Sequence, residues 1–243
     1  MCTVTYIPSG SHIILTASRD EQKERPAARI PDIYRLNNME LLFPKDQPAG
    51  GSWFAINENG TAVVLLNGAL ENHVPQTSYR KSRGLILLDL TATRSPVNAF
   101  DQMDLDQIAP FTLIISEEGN LWVCRWDGAF KMVDKKNAKI PHIWSSVTLY
   151  DPAEIAKREK WFADWLELNP EPSAEDMLRF HQEAGDGNPH HDLLMKRSDK
   201  LFTQSISIAH ISASQARFQY LDLLNMKTSG CSINFLKVIP VSG

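Results

Sequence analysis

Cysteine is scarce in this 243-residue chain: Cys2, Cys124 and Cys231 are odd in number, far apart and without a Cys-x-x-Cys pair. That usage argues against a disulfide framework and a zinc site, and predicts reduced thiols. Long apolar runs are missing too. The longest, residues 61–66 and 85–88, fall far short of the ~20 residues a membrane helix needs. No basic residue precedes Arg19, and the mildly apolar opening of residues 2–7 breaks at Pro8-Ser9-Gly10, so the pattern of a secretory signal is absent. A cytoplasmic protein is the expectation. There is no basic excess either: 25 Lys+Arg against 29 Asp+Glu give a net charge of −4, which argues against a nucleic-acid partner. Internal repeats and Pro/Gly-rich linkers are lacking, so a single domain over residues 1–243 is the simplest expectation.

What is present suits a folded globule. With 43% hydrophobic and 22% charged residues, a chain of this length can bury roughly 70–75% of the surface its unfolded form exposes. Residues 2–7 and 12–17 read as strands about a turn at residues 8–11, and residues 18–48, interrupted by Pro26, Pro31, Pro44 and Pro48, read as a long structured loop with short extended pieces at 33–36 and 40–43. Residues 52–57 and 61–67 flank Glu58-Asn59-Gly60, where Asn-Gly suits the positive backbone angles of a tight hairpin. Short helices are expected at 82–90 and 96–103, a hairpin at 111–116 and 121–126, and strands at 129–133 and 140–145. Asp151-Pro152 supplies an N-cap and a first-turn proline for a helix to about residue 168, and Ser173 opens another that ends before Gly185. Residues 185–200 read as a loop, and 202–211 with 217–224 as a last hairpin. Hairpins with helices inserted between them indicate a mostly antiparallel α+β architecture.

Cys2 directly follows the initiator methionine, and a small second residue predicts removal of Met1. The cysteine would then carry a nucleophile and a base together. An α-amine has a pKa of about 7.7–8.0, suited to accept the thiol proton near neutrality. On its own the position reads first as that of a small buried residue on the first strand, so the catalytic reading needs partners.

Read in order, Cys2, Ala17-Ser18-Arg19-Asp20-Glu21, Arg25-Pro26, Gly50 to Asn57 (Gly-Gly-Ser-Trp-Phe-Ala-Ile-Asn), Gly60, Leu65-Leu66-Asn67 and Ser82-Arg83-Gly84 resemble the NRDE family, also called the transport-and-Golgi-organisation family. Its defining motif is Asn-Arg-Asp-Glu, and Ser18 stands here in place of the Asn. The resemblance is denser over residues 1–88 than through Trp144-Ser145-Ser146 and Thr203 to Ile208. That family is in turn similar to the N-terminal-nucleophile hydrolases of the choloylglycine hydrolase and penicillin V acylase type. The resemblance implies a four-layer αββα sandwich and cleavage of a linear amide. It assigns Cys2 as nucleophile, Asp20 as the carboxylate that holds its amine, and Asn67 as the oxyanion-hole amide. The second asparagine of the hydrolase pattern falls at Ser146 and its late arginine at Gln204, so the charge that would favour a thiolate is missing there. Arg19 is a possible substitute, but alternation along an extended strand turns it away from Asp20, toward a structural pairing with Asp or Glu.

Trp53 reads as core more than as a ligand-stacking ring. His181, His190, His191, Asp186 and Asp192 lack a metal-ligand spacing. Arg80, Lys81 and Arg83 form a small basic cluster that reads as plain surface more than as a site for an anionic substrate group. No cofactor is called for. The expected partner is a small-molecule amide or acyl substrate, with Arg19, Trp53, Ser146 and Gln204 as weaker substrate-contact candidates. The alternative is a non-hydrolytic binding or trafficking protein for haem or a lipid-related ligand. Oligomeric state is not legible.

Overall fold

The computed structural model describes residues 3–197 and 200–240. Their strands form two seven-stranded sheets whose pairings are antiparallel. The first sheet runs β10 (His142–Ser145), β1 (Thr3–Ser9), β2 (His12–Gln22), β12 (Leu201–Ser212), β13 (Gln215–Asp222) and β14 (Lys227–Asn234), with the two-residue β11 (Lys196–Arg197) on β12. The second is a meander of β3 (Arg29–Leu36), β4 (Met39–Lys45), β5 (Phe54–Asn57), β6 (Ala62–Asn67), β7 (Phe111–Glu117), β8 (Asn120–Trp126) and β9 (Lys131–Lys136). Helices α1 (Arg83–Thr91) and α2 (Pro96–Gln102) cover the second sheet, and α3 (Pro152–Leu168) and α4 (Ala174–Glu183) cover the first. The result is the αββα sandwich.

Each central strand serves two cores. Ile13, Leu15 and Ala17 of β2 enter the core between the sheets, whereas Ile14 packs with Phe162, Met177 and Phe180 of α3 and α4. On β6, Val64 faces the other sheet while Val63 and Leu65 meet Leu87, Leu90 and Phe100 under α1 and α2. A strand covered on both faces has no polar side to show, which is why these segments read as apolar runs rather than alternations. Among the described residues no helix is long and apolar enough to cross a membrane.

The Asn-Gly hairpin forms as expected, with Gly60 at φ 82° between β5 and β6. Asp151 caps α3 and exchanges hydrogen bonds with Glu154 in a capping box. The stretch 18–48 is corrected: it is not a loop, because β2 continues to Gln22 and β3 and β4 form a hairpin about Asn37 and Asn38, at φ 48° and 64°. Pro31 is accommodated where the β3–β4 register shifts between Arg29 and Asp32, an irregularity that spares a proline the ladder bond it cannot donate. The strands expected at 129–133 and 140–145 lie at β9 and β10, and β10 crosses to the first sheet to pair with β1. The loop 185–200 contains β11, and β14 is a strand the sequence did not announce.

Candidate active site

β2 outlasts β1. Thr3 faces Ser18 across the ladder, and β2 runs on through Arg19, Asp20 and Glu21 to Gln22, pairing with β12. Arg19 lies opposite Ser205 and Asp20 opposite Thr203, so Gln204 is the extra residue of a bulge. Bulges of this kind re-aim a side chain beside a site. Alternation then separates the neighbours, with Arg19 turned to the space between the sheets and Asp20 to the helix-covered face.

Asp20 is buried, and both of its oxygens accept: Oδ1 from the Thr203 hydroxyl and Oδ2 from the Tyr150 hydroxyl, each at 2.6 Å. Arg19 donates from Nη1 to Gln204 Oε1 at 2.6 Å and from Nη2 to Asp46 Oδ1 at 3.0 Å. Its guanidinium lies 4.8 Å above the Trp53 ring, and Trp53 in turn donates Nε1–H to Ser207 at 3.3 Å. Asp46 also takes two hydrogen bonds from Arg25, at 2.9 and 2.6 Å. Burial alone would push the Asp46 pKa up, but the Arg25 hydrogen bond and the charges of Arg25 and Arg19 outweigh it and hold the carboxyl below its ordinary value.

Asn67 ends β6 and lines a cavity of about 310 Å³ together with Arg19, Trp53, Gly51 and Arg83. Its carbonyl accepts from the Ser146 hydroxyl at 2.8 Å, and Ser146 also meets the Thr148 hydroxyl at 2.9 Å. The side-chain amide of Asn67 has no hydrogen-bond partner among the described residues. Arg19, Trp53 and Asn67 therefore share one cavity, Gln204 joins it through Arg19, and Ser146 joins it through the Asn67 backbone. Asp20 stands on the other face of β2. Cys2 lies outside the described residues; it directly precedes Thr3, whose ladder partner Ser18 adjoins Arg19.

Gln204 is the neutral acceptor that a crowded guanidinium needs. Its Oε1 faces Arg19, while Nε2 donates to the carbonyls of Gln22 and Arg25 at 2.8 and 3.3 Å. Arg19, the possible substitute for the missing arginine, lines the cavity and pairs with Asp46. Gln204→Arg would set two guanidinium groups against each other in a buried place. The expected result is a loss of about 3–5 kcal/mol, the scale of an uncompensated buried charge, read as a lower urea midpoint; an unchanged midpoint would contradict it.

Ser18, standing where the family motif has Asn, serves the fold. Its hydroxyl meets His181 Nδ1 at 2.8 Å, and Thr5 meets Nε2 at 2.9 Å. His181 is fully buried, and burial, with the nearby Arg158 charge, pushes its pKa down to about 3. Of the other metal-ligand types, Asp186 pairs with Lys157 and His191 with Glu154. Among the described residues no group of three or more His, Cys, Asp or Glu side chains could hold a metal ion.

Two participants were missed from sequence. Asp46 gave no signal, since it becomes a partner of Arg19 only through the β3–β4 hairpin. Arg158 did give one: it follows Ile155 by three residues and precedes Phe162 by four, a charge on the apolar stripe of α3. It is buried, donates to the Thr3 hydroxyl and to the carbonyls of His191 and Asp192, and lies 3.6 Å over the Tyr150 ring.

The family model described as Transport and Golgi organisation 2 matches residues 1–220. No curated protein matches the chain. Among solved structures it is similar to the Caenorhabditis elegans orthologue of N-acylethanolamine-hydrolyzing acid amidase, at 12% identity and a TM-score of 0.60 over 85% of this chain and 92% of the other. It is also similar to a Cys-to-Ala mutant of the conjugated bile acid hydrolase of Clostridium perfringens, at 12% identity and TM-score 0.59 over 95% and 92% of the two chains. A second variant of that hydrolase aligns over 99% of both chains at 11% identity and TM-score 0.58. At such identities the likeness is one of fold, and the fold is that of the N-terminal-nucleophile hydrolases.

Proposed function

Because the chain belongs to the Transport and Golgi organisation 2 family and has an N-terminal-nucleophile hydrolase-like fold, we propose that it cleaves a linear amide through Cys2. With Met1 removed, the thiol passes its proton to the α-amine of the same residue and the sulfur attacks the amide carbonyl. The Asn67 side-chain amide donates to the oxyanion of the tetrahedral intermediate. Collapse breaks the C–N bond, the ammonium returns its proton to the leaving amine, and water then hydrolyses the thioester. Asp20 holds the ammonium: an ionised carboxylate has about four acceptor sites, and Thr203 and Tyr150 orient both of its oxygens.

The observation that carries this reading is the cavity where Asn67 and Arg19 meet, one residue along β2 from the partner of Thr3. A second cavity of about 710 Å³, lined by Leu70, Val147, Leu149 and Ile155, includes Thr148, which bonds Ser146, and Tyr150, which bonds Asp20. The four apolar side chains give a stretch suited to the acyl portion, beside the carboxylates Glu71, Asp151, Glu154 and Glu159 that also line the cavity. The alternative reading, binding or trafficking of haem or a lipid-related ligand without hydrolysis, draws on that same cavity, and a Soret shift on haem titration would favour it.

The thiols give a direct test. Cys124 is fully buried, and burial pushes its pKa up to about 12. Iodoacetamide should therefore modify Cys2 in the folded protein while leaving Cys124 untouched. Equal labelling of the two, or an intact mass that retains Met1, would count against the proposal.

A further inference from the structure

The three basic side chains at the start of α1 have different fates. Arg80 pairs with Asp104 at 3.2 Å and Lys81 with Asp89. Arg83 is half-buried and forms no ion pair with any described carboxylate; its hydrogen bond runs from Nη1 to the Pro110 carbonyl at 3.1 Å. A guanidinium has five N–H donors, so most of its capacity is unspent.

Arg83 lines the same cavity as Arg19, Trp53 and Asn67. The other cationic groups on that wall are answered: Arg19 and Arg25 share Asp46, and both lie within 3.7 Å of Glu21. Arg83 is the surplus charge. Its place is fixed by a close crossing, since a Cβ on Gly51 would lie 2.5 Å from the Gly84 carbonyl carbon and one on Gly84 2.8 Å from the Ser52 oxygen. Only paired glycines let the start of α1 press this near to the segment after β4. The Ser82 cap already takes the Leu85 N–H at the start of α1, through its carbonyl at 3.0 Å and its hydroxyl at 3.4 Å, so the helix terminus itself is answered and the guanidinium is not. A second under-used group is close: His73 Nδ1 is buried without a partner, and Arg83's charge adds to burial in lowering the His73 pKa.

We propose that Arg83 is an anion subsite of this cavity, and that the amide substrate carries a carboxylate seated on its guanidinium while the scissile carbonyl lies toward Asn67. The planar fork of arginine matches the two oxygens of a carboxylate. A neutral substrate would leave that charge with only the field of Glu21, which lines the same cavity and already sits beside Arg19 and Arg25. This inference rests on the reading of the cavity as an active site, and it adds the substrate's charge.

The test is calorimetric titration of the full chain with phenylacetate and with neutral 2-phenylethanol. Wild type should prefer phenylacetate, Arg83→Lys should bind it more weakly than wild type because the charge stays and the fork is lost, and Arg83→Gln should bind phenylacetate about tenfold or more weakly than wild type, with 2-phenylethanol unaffected. Equal phenylacetate affinity in Arg83→Gln and wild type would overturn the proposal, as would wild type binding phenylacetate no better than the alcohol. Iodoacetamide labelling of Cys2 in the same proteins reports separately on the active-site reading. Arg83-dependent phenylacetate binding beside an unreactive Cys2 would support the anion subsite and remove only the nucleophile.

Discussion

Asn67→Ala should lower turnover by roughly 10²–10³-fold, the scale set by removing one oxyanion donor, while leaving the Michaelis constant nearly unchanged. The selectivity follows from the geometry. The Asn67 carbonyl is committed to Ser146 and its backbone to β7, so the fold uses the main chain of this residue and leaves the side-chain amide to the cavity. A donor that engages only when charge develops on the carbonyl oxygen stabilises the transition state more than the bound ground state, and its loss appears in kcat. Steady-state kinetics on the amide substrate check this. A variant with normal turnover would reduce Asn67 to a strand-end residue, and a variant with raised KM and normal kcat would make it a substrate-binding group.

Acid should weaken the fold as soon as the pH falls to the value at which a free imidazole takes a proton. His181 is neutral between Thr5 and Ser18, with its pKa pushed down to about 3, first by burial and then by Arg158. In the unfolded chain the imidazole takes a proton near its ordinary pKa of about 6.5. Below that pH the unfolded state binds more protons, so stability is whole above it and falls with pH until the folded pKa is reached. The limiting slope from this one group is about 1.4 kcal/mol per pH unit, reached about one unit below the free imidazole pKa, so the loss between pH 6.5 and 4.5 is roughly 2 kcal/mol. Asp46, whose pKa is lowered from 3.8, contributes its own loss only below that window. Urea unfolding at pH 6.5 and 4.5 should show the drop in wild type, and His181→Gln should flatten it by about one proton. An unchanged slope in His181→Gln would assign the acid lability elsewhere.

The elements legible in the sequence are those with local causes. Asn59-Gly60 dictates its hairpin through backbone angles, and Asp151-Pro152 starts α3 by satisfying the first N–H groups, whatever surrounds them. The β3–β4 hairpin was legible only as the short extended pieces at 33–36 and 40–43, because Pro31 and Pro44 suggest a loop and only pairing shows that the register irregularity absorbs them; Asn37-Asn38 was the turn signal to heed. β14 gave nothing, since Thr228, Gly230, Ser232 and Asn234 show no strong apolar alternation and the strand is held by its ladder to β13.

The site divides the same way. The order of Cys2, Asp20 and Asn67 was visible as motif, and the alternation that parts Arg19 from Asp20 follows from strand geometry alone. What Arg19 meets was not visible, because Asp46 and Gln204 come from elements 27 and 185 residues away. Nor could spacing distinguish Arg83 from Arg80 and Lys81: their difference is which one finds a carboxylate, a property of tertiary packing.

The measurement closest to the central claim is covalent trapping. The protein is mixed with a set of N-acyl 4-nitroanilides, quenched in acid, and analysed by intact mass and peptide mapping. The expected product is a chain lacking Met1 that carries a transient acyl adduct on Cys2, formed as 4-nitroaniline is released and abolished by Cys2→Ala. A retained Met1, or acylation of Cys231 that persists in Cys2→Ala, would contradict it.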